Sequence, residues 1–138
     1  MMKKKFIGTI AALALSMVCS LPVMAATRVT EPYNWTFYSD GPEDDLSTNP
    51  GKKNDTEQYY YLTINQGNIS SSNIFGAGIR RADNVAVSPY LTHTSYEYSQ
   101  PYAYSTHVNT TDTYYMRGKK DDTSTTSVAL RISGRVTY

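Results

Sequence analysis

Apolar and polar residues alternate along several short stretches of this chain, and one continuous apolar run stands apart at its start. In Tyr33-Asn34-Trp35-Thr36-Phe37-Tyr38, residues Tyr33, Trp35 and Phe37 share one side, the period of a half-buried strand. Residues 58–65 repeat the pattern, with Tyr60, Leu62 and Ile64 on one face and Tyr59, Tyr61 and Thr63 on the other. Residues 74–81 and 85–91 read as further strands, and Pro89 puts the second at an edge or a strand end. Tyr96, Tyr98, Tyr102 and Tyr104 lie at even spacing within 96–108. Residues 114–119 and 127–137 close the chain as two strands around a hairpin loop at Asp121-Asp122. The last is the most regular: Val128, Leu130, Ile132 and Val136 face one way, and Arg131, Ser133, Arg135 and Thr137 the other. Between the first two strands, residues 39–55 hold Gly41, Pro42, Pro50, Gly51 and many charges, which predicts a long mobile loop. No stretch after the apolar run carries a helical period. The pattern predicts an all-β fold, a small antiparallel β-sandwich of about seven strands, with a small barrel as the other closed form. Its core is expected to hold Trp35, Phe37, Leu62, Ile64, Val128, Leu130 and Ile132.

The apolar run, Phe6 to Val23, follows Lys3, Lys4 and Lys5 and ends in Val23-Met24-Ala25. This is the layout of a secretory signal peptide cleaved after Ala25. A retained anchor would need about 20 unbroken apolar residues, and Gly8, Thr9, Ser16, Ser20 and Pro22 interrupt this one. Cys19 has Val18 where a lipid-modified cysteine wants a small residue, so it reads as part of the apolar run. The chain therefore divides into a signal peptide (1–25), an N-terminal strand with an acidic loop (26–57), and the other strands of the same β domain (58–138). The expected location is secreted and extracellular, with no transmembrane span in the mature protein.

Composition narrows this further. The chain has 13 Tyr but only one Cys, and that Cys leaves with the signal peptide. Disulfides, a thiol nucleophile and Cys-ligated metal are thereby excluded from the mature chain. Three of the 13 basic residues leave as well, so the 12 acidic residues are slightly in excess. Nucleic acid is not an expected partner, since no basic surplus remains to neutralise phosphates. Aliphatic residues are scarce, so either the chain is partly disordered or tyrosines build much of the core. The alternating segments favour the second.

Candidate chemistry is sparse. His93 and His107 lack the spacing of a metal site or a catalytic triad and read as surface or loop histidines. Gly76-Ala77-Gly78 resembles a phosphate-binding loop only superficially, because no helix is predicted after it. No cofactor, metal or catalytic residue is assigned, and the protein is expected not to be an enzyme. Asp40, Glu43, Asp44 and Asp45 cluster on one segment. They admit a calcium site, although the spacing matches no calcium loop and solvated charge accounts for them more simply. The final Tyr138 after a regular strand is similar to the end of outer-membrane barrels, but no lipid-facing apolar band accompanies it.

The tyrosines at 96–104 are the candidate contact residues. A tight hairpin at Ser99-Gln100-Pro101 would pair Tyr98 with Tyr102 and Tyr96 with Tyr104 in a cross-strand ladder. Such a ladder serves either as an aromatic binding face or as core in place of aliphatics.

The lysine-led signal peptide, Tyr33-Asn34-Trp35-Thr36-Phe37, Tyr114-Tyr115-Met116-Arg117-Gly118-Lys119 and Ile132-Ser133-Gly134-Arg135 together resemble small secreted proteins of Gram-positive bacteria. Those families have no assigned activity, and the likeness extends to lactococcin-type β-sandwich bacteriocins. Val136 departs from the aromatic that such proteins carry at this place. The resemblance implies a bacteriocin-like or intercellular effector acting by contact, with a bacterial envelope component as its partner. The alternative is a surface-associated module that binds glycan or peptide.

Overall fold

The computed structural model describes residues 28–38 and 45–138. The predicted signal peptide, and Asp40, Glu43 and Asp44 of the acidic segment, lie outside these residues. Nine strands form: β1 (Thr30–Phe37), β2 (Leu46–Ser47), β3 (Gly51–Lys52), β4 (Tyr59–Gly67), β5 (Phe75–Arg81), β6 (Leu91–His93), β7 (Glu97–Ala103), β8 (Thr113–Lys120) and β9 (Leu130–Thr137). There is no helix among the described residues. One sheet has the order β1-β9-β4-β7; the other runs β2-β8-β5-β6, with β3 also on β8. Every pairing is antiparallel, and the inner faces of the two sheets share one core. The all-β sandwich read from the alternation is the fold.

Why these residues make these strands is clearest at β1. Tyr33, Trp35 and Phe37 are buried at every second position. Opposite them on β9 stand Gly134, Ile132 and Leu130. Gly134 lets the Tyr33 ring cross β9, because a Cβ there would stand 1.9 Å from the Thr63 carbonyl oxygen and 2.7 Å from the Tyr33 hydroxyl. The Tyr33 hydroxyl donates to that same carbonyl at 2.8 Å, so one side chain binds three strands together. From the facing sheet, Phe75 packs against Tyr33, Trp35 and Phe37 with ring centroids about 6 Å apart.

Four sequence expectations are corrected. Residues 45–55 are no mobile loop: Leu46 and Ser47 pair with Gly118 and Arg117, and Gly51 and Lys52 with Tyr114 and Thr113. Two-residue strands show no alternation, and the free edge of β8 supplies their backbone partners. Residues 85–91 do not form the predicted strand. They follow β5 through one bridge, Arg80 to Ala86, and the amides of Val87 and Ser88 bonded to the Ile79 carbonyl; Pro89 and Tyr90 then pass over Gly78 and Gly76 before β6 begins at Leu91. The turn at Asp121 joins no hairpin, because β8 and β9 belong to different sheets; Asp121 and Thr125 instead bond to the 72–74 segment. Val128 is 57% exposed, since β9 enters the core only from Leu130. The other expected core residues are buried.

Tyrosines do fill the core. Tyr33, Tyr60, Tyr104, Tyr114 and Tyr138 are all buried. Burial pushes the Tyr60 hydroxyl up to about 12, and also raises Tyr33, Tyr104 and Tyr138 above the ordinary tyrosine value. Below them lies Lys53, fully buried, its ammonium 2.7 Å from Asp55 and 5.6 Å from the centre of the Tyr104 ring. Burial is the largest single influence and would raise the Asp55 carboxyl, but the bond and charge of Lys53, the Arg28 charge and the Glu57 amide together hold it below its usual range.

Two outcomes follow from this core. The folded state keeps tyrosine protons that the unfolded chain releases from about pH 10. Stability is therefore full below that pH and falls as it rises toward the folded-state values. Denaturant melts from pH 8 to 12 should show this decline, with tyrosinate absorbance at 295 nm rising together with unfolding. Asp55→Asn leaves the Lys53 charge buried beside a neutral partner and should cost about 3 kcal/mol in the same melts at pH 7.

Candidate functional site

Strand β7 decides what the four candidate tyrosines do. Its register on β4 runs Tyr59↔Ala103, Tyr60↔Tyr102, Tyr61↔Pro101 and Leu62↔Gln100, then shifts so that Ile64 meets Glu97. No hairpin forms at Ser99-Gln100-Pro101; the segment is one continuous edge strand with an extra residue. The predicted ladder is thereby overturned, since Tyr98 and Tyr102 share a strand and cannot pair across two. Ser99 sits at φ 48°, in the left-handed region uncommon outside glycine, and its amide donates to the Thr63 hydroxyl at 3.0 Å.

This bulge splits the tyrosine row. C-terminal to it, Tyr102 and Tyr104 turn inward and pack at a tilt against Tyr60, with centroids 5.6 and 5.5 Å away. N-terminal to it, Tyr96 and Tyr98 remain 57% and 78% exposed. Tyr102 and Tyr104 thus pack with the core, while Tyr96 and Tyr98 stay on the surface. The Tyr98 ring lies 5.6 Å from the Arg135 guanidinium. The Tyr96 hydroxyl donates to the Gly67 carbonyl at 2.7 Å, which fixes that ring at the end of β4. Arg131 and Arg135, on the outward side of β9, have no carboxylate partner among the described residues. Among the described residues, this outer face therefore carries two guanidinium groups without a carboxylate partner and two exposed rings.

Because the bulge shifts the alternation by one, Glu97 is carried to the edge of the core. Its carboxylate takes the Tyr102 hydroxyl proton bond at 2.7 Å and lies 2.8 Å from the His93 Nδ1. Burial, followed by this bond to Glu97, raises the Tyr102 hydroxyl well above the usual tyrosine range. His93 is 3% exposed, contrary to the expected surface position, and its Nε2 has no hydrogen-bond partner. His107 is exposed, as expected. The His93–Glu97–Tyr102 cluster joins the edge strands β6 and β7 of opposite sheets. Its imidazole is enclosed, and the hydroxyl in contact with it is already spent on the carboxylate. Sequence reasoning missed it because His93 and Glu97 come from different sheets, and a four-residue spacing carries meaning only in a helix.

The remaining candidates are placed as follows. Gly76-Ala77-Gly78 lies inside β5, with no helix after it. Asp45 is bonded by the Arg117 guanidinium. No group of three His, Cys, Asp or Glu among the described residues is arranged to hold a metal ion. No helix of the described residues is long and apolar enough to cross a membrane. Compared with known protein families, with curated proteins and with solved structures, the chain matches none of them.

Single substitutions separate the two pairs of tyrosines. Tyr102→Ser removes a packed ring and a partner of Glu97, and should cost about 2–4 kcal/mol in thermal melts. Tyr98→Ser should change stability by no more than about 0.5 kcal/mol, because the ring is exposed.

Proposed function

We propose that this chain is an exported, non-enzymatic protein that acts by contact with an anionic polymer of a bacterial cell envelope. The contact surface is the outer face of the β1-β9-β4-β7 sheet, centred on Tyr98 and Arg135 and extended by Tyr96 and Arg131. One observation carries the reading: a strained, non-glycine bulge at Ser99 holds Tyr98 outward over Arg135, although the even spacing of the row would turn that ring inward with Tyr102. Strain of this kind costs about 1 kcal/mol or more and is retained where the displaced residue is used. Tyr and Arg are also the side chains that contribute most at contact surfaces. Two arginines four residues apart on a strand stand about 13 Å from each other, a reach suited to successive charges on a polymer.

Export is tested by mass spectrometry of culture supernatant, where the mature chain should begin at Ala26; an intact Met1 in the cell fraction overturns it. Contact is tested by adsorption to purified cell wall, with and without its anionic polymers. The wild-type protein should adsorb to the complete wall alone, more weakly as salt rises. Tyr98→Ser should weaken adsorption about tenfold with the fold intact. Arg131→Gln with Arg135→Gln should flatten the salt dependence. Equal adsorption to stripped wall, or no change in these variants, refutes the reading. Growth inhibition of neighbouring cells by the wild type, lost in Tyr98→Ser, separates an effector from a simple binding module.

A further inference from the structure

The opposite outer face, on the β2-β8-β5-β6 sheet, carries a cavity of about 210 Å³ that the contact surface does not use. Its floor is β5 at Gly78, where an added Cβ would meet only ordinary contacts, the nearest being the Pro89 carbonyl oxygen at 3.4 Å. Its wall is Tyr90, from the segment that crosses β5. That ring is seated on Gly76, since a Cβ there would stand 1.6 Å from the Tyr90 hydroxyl. The hydroxyl donates to Asp121 at 2.8 Å, and Asp121 also accepts bonds from the Thr123 amide and hydroxyl. Burial opposes ionisation of Asp121, but these bonds outweigh it and hold its carboxyl low. The ring is therefore fixed before any ligand arrives.

The rim is charged on both signs but unequally. Arg80, Arg117 and Lys119 line the cavity, with Asp45 as the one carboxylate among the described lining residues. Arg117 is bonded to Asp45 through one guanidinium nitrogen, and its other N–H groups have no partner among the described residues. Arg80 donates from one nitrogen to the Asn84 carbonyl and side-chain oxygens. Lys119 is held by Asp122 at 3.1 Å and lies 5.9 Å from the centre of the Tyr90 ring. Drug-sized ligands fill roughly 300–1,000 Å³, so this space suits a single ring.

We infer that this cavity is a binding site for one anionic pyranose unit, a sugar ring carrying a carboxylate or a phosphate. The Tyr90 ring packs on the apolar C–H face of the sugar, Arg117 and Arg80 take the anionic group, and Asp45 accepts from ring hydroxyls. The site is independent of the Tyr98 surface, because the two lie on opposite outer faces.

Titration calorimetry of the mature protein with glucuronic acid, glucose 6-phosphate and glucose tests this. At least one of the two anionic sugars should bind in the millimolar range, and glucose at least about fivefold more weakly. Which anionic sugar binds more tightly distinguishes carboxylate from phosphate. Gly78→Leu fills the floor and should reduce binding at least about tenfold while the melting temperature holds. If that variant does not fold, Arg117→Gln provides the reading by abolishing the preference over glucose. Tyr98→Ser should leave sugar binding unchanged, so failure of the contact surface and failure of this site are told apart. The inference is overturned by absence of binding to both anionic sugars at about 50 mM, far above the expected range. It is also overturned by glucose binding as tightly, or by binding that survives in folded Gly78→Leu or in Arg117→Gln.

Discussion

A buried tyrosine hydroxyl calls for a hydrogen-bond partner, and in this protein that requirement ties strands, sheets and loops together. Leaving such a group unpaired costs about 1–3 kcal/mol, so each buried ring acts as a directional tie as well as apolar filling. The Tyr138 hydroxyl accepts from the Met116 amide at 2.9 Å and shares a 2.7 Å bond with Thr48, fastening the end of the chain to β8 and to the segment between β2 and β3. The Tyr33 hydroxyl spans β9 to reach β4. The Tyr114 hydroxyl both accepts from the Asn109 amide and donates to its carbonyl, pinning the loop before β8. Tyr104 is the exception: its hydroxyl has no partner, and its ring lies beside the buried Lys53. A core with more aliphatic residues would slide more easily; this one has its register written in hydroxyl bonds.

The same economy shapes the edges of the sandwich. β1 and β7 border one sheet, and each carries a proline, Pro32 and Pro101, which removes a backbone donor. β7 is further bent by the Ser99 bulge, while β6 is only three residues long and β2 and β3 two each. These features discourage strand addition by a second chain. They leave the outer faces as the broad open surfaces of the sandwich. On one, a bulge exposes Tyr98 beside β9 arginines; on the other, glycines in β5 make room for a fixed tyrosine and a cavity. In both cases local backbone geometry places an aromatic ring next to a cationic side chain, Arg135 beside Tyr98 and Lys119 beside Tyr90.

Much of the fold was legible in the chain. Alternation in 33–37, 60–64 and 130–136 identified the strands and their inner faces, because a pleated strand with one wet side imposes period two on its own residues. The shortage of aliphatic side chains against 13 tyrosines pointed to a tyrosine core for the same local reason. Less was legible at the candidate site. The tyrosines at 96–104 stood out by spacing, but spacing assumed an unbroken pleat, and one extra residue at Ser99 reverses the faces on either side of it.

What the sequence by itself determined is thus the class of structure: antiparallel β, two-sided strands and a core rich in tyrosine. Periodicity and composition are properties of a single segment and need no partner to be read. The tertiary structure alone decided that residues 46–52 lie along β8, that 85–90 cross β5 instead of pairing as a strand, and that His93 meets Glu97 and Tyr102. It also decided which tyrosines face water. The His93 cluster joins close neighbours that enter different sheets, and the others depend on a bond to a segment distant in sequence: the Ser99 amide to Thr63, Thr48 to Tyr138, or Tyr90 to Asp121. Such bonds form only once both sheets are in place, and no local pattern encodes them.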